Sequence, residues 1–152
     1  MSQRVLGTFL HWLQERPPGV FLVATCNDVD ELPAELLRRG RFDEIFFVDL
    51  PEPAEREAIL RLHLSKRKRD PSAFDLARLV AASGGFSGAE IEGAVVGALY
   101  RAFAAGTDLT TEALLEELGV TTPLSRTRAE EIDALRAWAR GRATPAVGHG
   151  PA

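Results

Sequence analysis

Several features that would have narrowed the chemistry of this chain are scarce or absent. In 152 residues there is one cysteine, Cys26. A lone thiol closes no internal disulfide, which excludes a stapled extracellular scaffold and predicts a reducing compartment. Lysine is limited to Lys66 and Lys68 among 18 basic residues, so arginine carries the positive charge, a bias read as compositional. The three histidines, His11, His63 and His149, stand apart from each other and from any partner at metal-ligand spacing. Packing or surface roles are therefore expected of them, and no metal ligands are assigned. No run reaches the ~18 apolar residues of a membrane helix, and no early stretch has the charged start and apolar centre of a signal peptide. The expectation is a cytoplasmic chain with no membrane contact. A net charge of -4 gives no general attraction to nucleic acid or anionic lipid. What remains is ordinary for a globular protein, 45% hydrophobic and 26% charged residues, and fits one domain or two small ones.

Hydrophobic periodicity divides the chain into helices around one apolar, β-favouring stretch. Ser2 to Arg16 places Val5, Leu6, Phe9, Leu10 and Leu13 on a helical face ended by Pro17-Pro18-Gly19. Val20 to Val23 is continuously apolar, as expected of a strand covered on both faces, and ends at the polar tip Thr25-Cys26-Asn27-Asp28. Glu44 to Leu50 is a second buried run ended by Pro51. Between them, Arg38, Arg39 and Arg41 flank Gly40, a permanently charged fork suited to phosphate.

Helices are then expected over Glu52–Lys66, with Pro53 in the first turn, from Asp70 or Ser72 to about Ser83, and from Gly88 to about Phe103. Ser87 and Glu90 form a capping box at the start of the third. Gly93 and Gly97, four apart, predict a close helix contact along it. A shorter helix over Asp108–Leu118 is opened by Thr110 or Thr111. An extended connector over Val120–Ser125 and a last helix capped by Thr127 follow, with Ile132, Leu135, Trp138 and Ala139 inward. From Gly141 the Gly, Pro and Ala content predicts a disordered tail. Lys66-Arg67-Lys68-Arg69 lacks interleaved aromatics and reads as a solvated helix end. Cys26 has no His or Asp in a nucleophile pattern, and Asp28, Asp30 and Glu31 occupy a loop with no acid/base arrangement. Phe86 and Trp138 read as core residues.

The ordered series from Val20 to Pro51, followed by Gly85-Phe86-Ser87-Gly88-Ala89, resembles the AAA ATPases, and the connector with its Trp-containing helix resembles the AAA proteins of cyanobacteria and plastid genomes. The resemblance implies an α/β fold: the C-terminal part of a P-loop NTPase parallel sheet with helices, followed by a small α-helical lid. It divides the chain into a partial α/β nucleotide-binding domain over 1–66, a lid over 67–140 and the tail over 141–152. It places Asn27 at the sensor 1 position, with Cys26 where the family usually has threonine. Arg38 and Arg41 fall at the arginine-finger positions that reach a neighbouring subunit's nucleotide. The backbone of Gly88 and Ala89 lies against adenosine in the family.

Two further elements of the family are not in this sequence: the phosphate-binding G-x-x-x-x-G-K-[ST] loop and a strand ending in Asp-Glu that serves magnesium and water. Both precede the first helix in family order. The chain is therefore expected to be the back half of a module whose full-length form binds ATP and Mg2+ and remodels a macromolecule in a homo- or hetero-oligomeric ring, a hexamer by analogy. By itself it is expected to be inactive, to bind no cofactor tightly and to leave apolar strand surface uncovered. The alternatives are a non-enzymatic module that donates arginine fingers in trans and a degenerate product without activity.

Overall fold

The computed structural model describes residues 3–15, 19–29, 32–38 and 40–146. The first helix, α1, runs Gln3–Glu15. Its Leu13 is buried, and Phe9 and Trp12, one turn apart, stack with ring centroids 6.1 Å apart. The stop expected at Pro17-Pro18 lies outside the described residues.

The expected strand at Val20–Val23 does not form. Phe21 is 91% exposed and Val23 72%, and the only sheet among the described residues is a two-stranded one elsewhere. Apolar, β-branched composition supplies propensity, but a strand exists through its ladder, and this segment has none. The second expected strand is reduced to β1, Phe46–Phe47. It pairs in parallel with β2, Thr144–Pro145, in the register Phe46 to Thr144 and Phe47 to Pro145. The Thr144 and Ala146 amides donate to the Ile45 and Phe47 carbonyls at 2.9 and 2.8 Å. Part of the tail expected to be disordered is thus ordered by pairing with residues a hundred positions earlier; residues 147–152 lie outside the described ones.

The chain separates into one unit of Met1–Val48 with Leu135–Ala152 and another of Asp49–Ala134. The helix α2, Pro53–Lys66, buries Leu60 and Leu64 in the same core as the helices after it, so it belongs to the helical unit. That unit contains α3 (Leu76–Ala82), α4 (Gly88–Ala104), α5 (Thr111–Val120) and the single turn α6 (Leu124–Thr127). Leu60, Leu64, Leu79, Phe86, Ile91, Val95, Ala98, Leu114 and Leu118 fill its centre. Each large aliphatic side chain buried there contributes about 1.5–3 kcal/mol. The last helix, α7, is Ala129–Ala139.

Local chemistry sets the ends of these helices. Glu52 and Glu55 form a capping box on α2 with Pro53 in the first turn. Thr110, of the two threonines considered, caps α5 by accepting from the Ala113 amide at 3.2 Å. The helix expected from Asp70 or Ser72 is broken in two. Asp70 accepts from the Ser72 amide and opens a short 3-10 turn, Pro71–Ala73. Asp75 then takes the Arg78 amide at 3.1 Å and opens α3. Two aspartates five residues apart each offer a cap, and the extended Phe74 between them ends the first turn. The expected extended connector contains α6, and Thr127 lies inside that turn instead of capping α7.

Gly97 makes the expected close contact: a Cβ there would sit 2.7 Å from the Glu117 carboxylate on α5, whereas one at Gly93 would meet nothing. Trp138 is only half-buried, its ring 5.9 Å from the Arg142 guanidinium carbon. Phe86 is in the core as expected.

Candidate functional site

The sequence-derived site residues fall on both units. Asn27, Arg38 and Arg41 belong to Met1–Val48, and Gly88 and Ala89 to Asp49–Ala134.

In the first unit, Asn27 sits at a bend beyond the apolar segment and is exposed. Residues 33–38 coil through successive short turns, in which the Leu36 amide donates to the Pro33 carbonyl at 2.9 Å and the Leu37 amide to Ala34 at 3.2 Å. Leu36 is the buried anchor of this coil. Its last residue, Arg38, is exposed, and the Arg41 amide returns to the Arg38 carbonyl at 3.3 Å. Gly40, with φ +88°, makes that return in the left-handed region that glycine tolerates best. The two arginines have different surroundings. Arg38 faces solvent, whereas Nη1 of Arg41 donates to the Leu10 carbonyl on α1 at 2.6 Å. A charge-assisted hydrogen bond of this length holds the guanidinium firmly in place. Arg39 lies outside the described residues. Cys26 is exposed.

In the second unit, Gly88 and Ala89 are the first residues of α4, with Ser87 as the N-cap. The capping box forms as expected: the Ser87 amide donates to Glu90 Oε2 at 2.7 Å, and the Glu90 amide donates to Ser87 Oγ at 3.3 Å. A Cβ on Gly88 would make only an ordinary 3.5 Å contact with Ile59 Cδ1. Internal packing thus gives no reason for glycine there. Amides at a helix start carry the positive end of the helix dipole.

The helical unit also holds polar contacts that sequence reasoning missed. Arg56 donates to the Pro51 carbonyl at 2.8 Å and the Val80 carbonyl at 3.3 Å, with its Nε buried. Arg67 and Arg69, expected as a solvated end, reach other segments: Arg67 pairs with Glu92 on α4 at 2.9 Å and Arg69 with Asp108, in the loop before α5, at 2.9 Å. The Arg67 hydrogen bond and the adjacent Arg67 and Lys66 charges hold the Glu92 carboxyl below its ordinary value. The Nδ1 atom of buried His63 lies 3.3 Å from both Arg67 Nη1 and Glu92 Oε1, which makes it a packing residue in a polar cluster. Glu90 has a further partner in the connector, described below. Among the described residues no group of His, Cys, Asp and Glu could hold a metal.

These positions acquire a context from known proteins. Residues 1–50 match the model of the ATPase family associated with various cellular activities (AAA), and similarity to AAA domain-containing proteins extends along 91% of the chain. Among individual relatives, the AAA domain-containing protein ycf46 of Pyropia yezoensis is 46% identical over 139 residues, which is 91% of this chain and 28% of the relative. The same protein of Guillardia theta gives the same figures. The ATP-dependent zinc metalloprotease FtsH 3 of Sphaerobacter thermophilus is 40% identical over 114 residues, 73% of this chain and 23% of that protein. The chain therefore spans 28% of the length of the plastid-type relatives. No solved structure matches it.

Proposed function

We propose that this chain supplies the sensing, stimulating and adenosine-facing parts of an AAA ATPase. The full-length form binds ATP and Mg2+, hydrolyses the nucleotide and remodels macromolecules as a cytoplasmic head-to-tail ring, a hexamer. Asn27 is the sensor 1 residue that orients water or touches the γ-phosphate. Arg38 and Arg41 are the arginine fingers that stabilise transition-state charge in the adjacent subunit, an effect of about 10³–10⁵ in rate. Gly88 and Ala89 offer their backbone to adenosine. The observation that carries this reading is the 46% identity across 91% of the chain. The residues present fit one side of a nucleotide only. The sequence holds no phosphate loop and no Asp-Glu strand end, so this chain alone supplies no magnesium ligand and no tight grip on the phosphates.

The test is ATP hydrolysis by the chain alone and mixed with a full-length plastid-type relative whose finger arginines are replaced by alanine. The expected result is no turnover by the chain, rescue in the mixture, and loss of rescue with Arg38→Ala plus Arg41→Ala. Rescue that survives the double substitution overturns the finger assignment. Turnover by the chain alone overturns the division of labour. A chain that rescues without binding any nucleotide itself is the non-enzymatic donor of the alternative reading.

A further inference from the structure

The carboxylate of Glu90 is shared between segments 34 residues apart. Its Oε2 accepts from the Ser87 amide at 2.7 Å and from the Ser87 hydroxyl at 2.7 Å. Its Oε1 accepts from the Leu124 amide, at the start of α6, also at 2.7 Å. A capping box needs only the first of these oxygens. The connector makes a second approach at Gly85, where φ is +79° and a Cβ would collide with Ser125 Oγ. Pro123, which precedes both contacting residues in sequence, is buried. The connector over 121–128 is thus fastened onto the turn that leads into Gly88 and Ala89.

We propose that Glu90 is a positioning residue that makes this connector part of the nucleotide-facing turn, so that nucleotide occupancy and the order of the connector are linked. The inference rests on the reading of Gly88 and Ala89 as the adenosine-facing backbone. The chemistry requires a glutamate. Three donors converge on two carboxylate oxygens, whereas the amide of a glutamine offers a single oxygen and adds donors of its own. Such coupling is reciprocal: a nucleotide that orders the turn also orders the connector, and a released connector weakens the turn's hold on the nucleotide.

A single-atom test is available at Leu124. It is the first residue of α6, where proline is tolerated, and Pro123 before it already has φ -69° and ψ 150°, a conformation compatible with a following proline. Leu124→Pro therefore removes the amide that Glu90 accepts and leaves the turn itself untouched. Leu124→Ala keeps the amide and controls for the side chain.

Hydrogen exchange by mass spectrometry on the intact chain, with ADP titrated into the millimolar range, reads both ends. Without nucleotide, Glu90→Gln is expected to raise exchange at Leu124 by roughly tenfold or more, the factor carried by a charge-assisted hydrogen bond. With ADP, residues 85–90 and 124–128 are expected to become protected with one midpoint. Leu124→Pro moves that midpoint several-fold higher, and Leu124→Ala leaves it in place. An unchanged midpoint in Leu124→Pro, or protection at 85–90 that never extends to 124–128, overturns the coupling while leaving the nucleotide reading intact. Indifference of residues 85–90 to ADP overturns the nucleotide reading and the coupling with it.

Discussion

Gly93 and Gly97 occupy the same face of α4 four residues apart, and the structure assigns them opposite responses to one substitution. Alanine is favoured over glycine in a helix interior by about 0.8–1.0 kcal/mol, largely because glycine loses more backbone freedom on folding. At Gly93 an added Cβ meets nothing within 4 Å, so Gly93→Ala is expected to gain about 0.5–1 kcal/mol. At Gly97 the new methyl lies 2.7 and 2.8 Å from the Oε1 and Cδ atoms of Glu117. The Glu117 carboxylate must move, and it is paired with Arg101. Because Arg101 is 49% exposed, that pair contributes no more than the ~0.2–1 kcal/mol of a surface ion pair. Displacement of α5 from α4 adds to the loss. The net for Gly97→Ala is expected to fall between zero and about 1 kcal/mol destabilising, leaving the two variants roughly 1–2 kcal/mol apart. For a helical unit of this size that corresponds to several degrees in midpoint, at about 4–8 °C per kcal/mol. Urea unfolding followed by circular dichroism measures it, with an unchanged slope showing that the denatured state is unaffected. Equal stabilisation by both alanines refutes the argument, because it means the Glu117 approach costs nothing.

Two further expectations concern the end of α2 and its ion pairs. Lys68 has φ +57° at the position where a helix end takes a left-handed residue, while the Arg69 and Lys68 amides return to Leu64 and Ser65 at 3.0 and 2.9 Å. Lys68→Gly relieves about 1 kcal/mol of backbone strain and gives part of it back in unfolded-state entropy, so a gain of up to about 0.5 kcal/mol is expected in thermal melts; a loss counts against this strain argument. The Glu92 carboxyl is held below its ordinary value of 4.5, chiefly by Arg67. A depressed carboxylate stabilises fully above its unfolded pKa and loses that contribution as pH falls through the folded one. Glu92→Gln should therefore cost stability at neutral pH and flatten the fall in melting temperature below about pH 4.5, measured as midpoint against pH. Parallel curves for the two proteins exclude the pair as a source of acid sensitivity.

The parts of this structure that were legible in the sequence are those whose physics is local. Ser87 and Glu90 are three residues apart, so their capping box was visible as a pattern, as were Pro53 in the first turn of α2 and Thr110 before α5. Asn27, Arg38, Arg41, Gly88 and Ala89 emerged through resemblance, which carries an order of motifs that no single spacing contains. What escaped depends on partners distant in sequence. Val20–Val23 has the composition of a buried strand, yet composition does not supply a ladder. Phe46 found its partner at Thr144, and nothing about a Gly- and Pro-containing tail announced that pairing. Gly93 and Gly97 are equivalent by spacing and differ only because Glu117 lies over one of them. Glu90 was read as a cap, and its hold on Leu124 required knowing where the connector folds back.

The cap of α3 has a consequence for the order in which the helical unit assembles. The Asp75 side chain accepts from the Arg78 amide in the first turn of α3, while the Asp75 amide itself donates to Thr111 Oγ1 at 3.1 Å, at the start of α5. A helix of seven residues is far shorter than the ~12–15 at which an isolated helix becomes marginally stable in water. α3 therefore has no kinetic life of its own. It is expected to condense with α5 and its threonine, so substitutions in α3 are predicted to speed unfolding more than they slow folding, read as low φ-values.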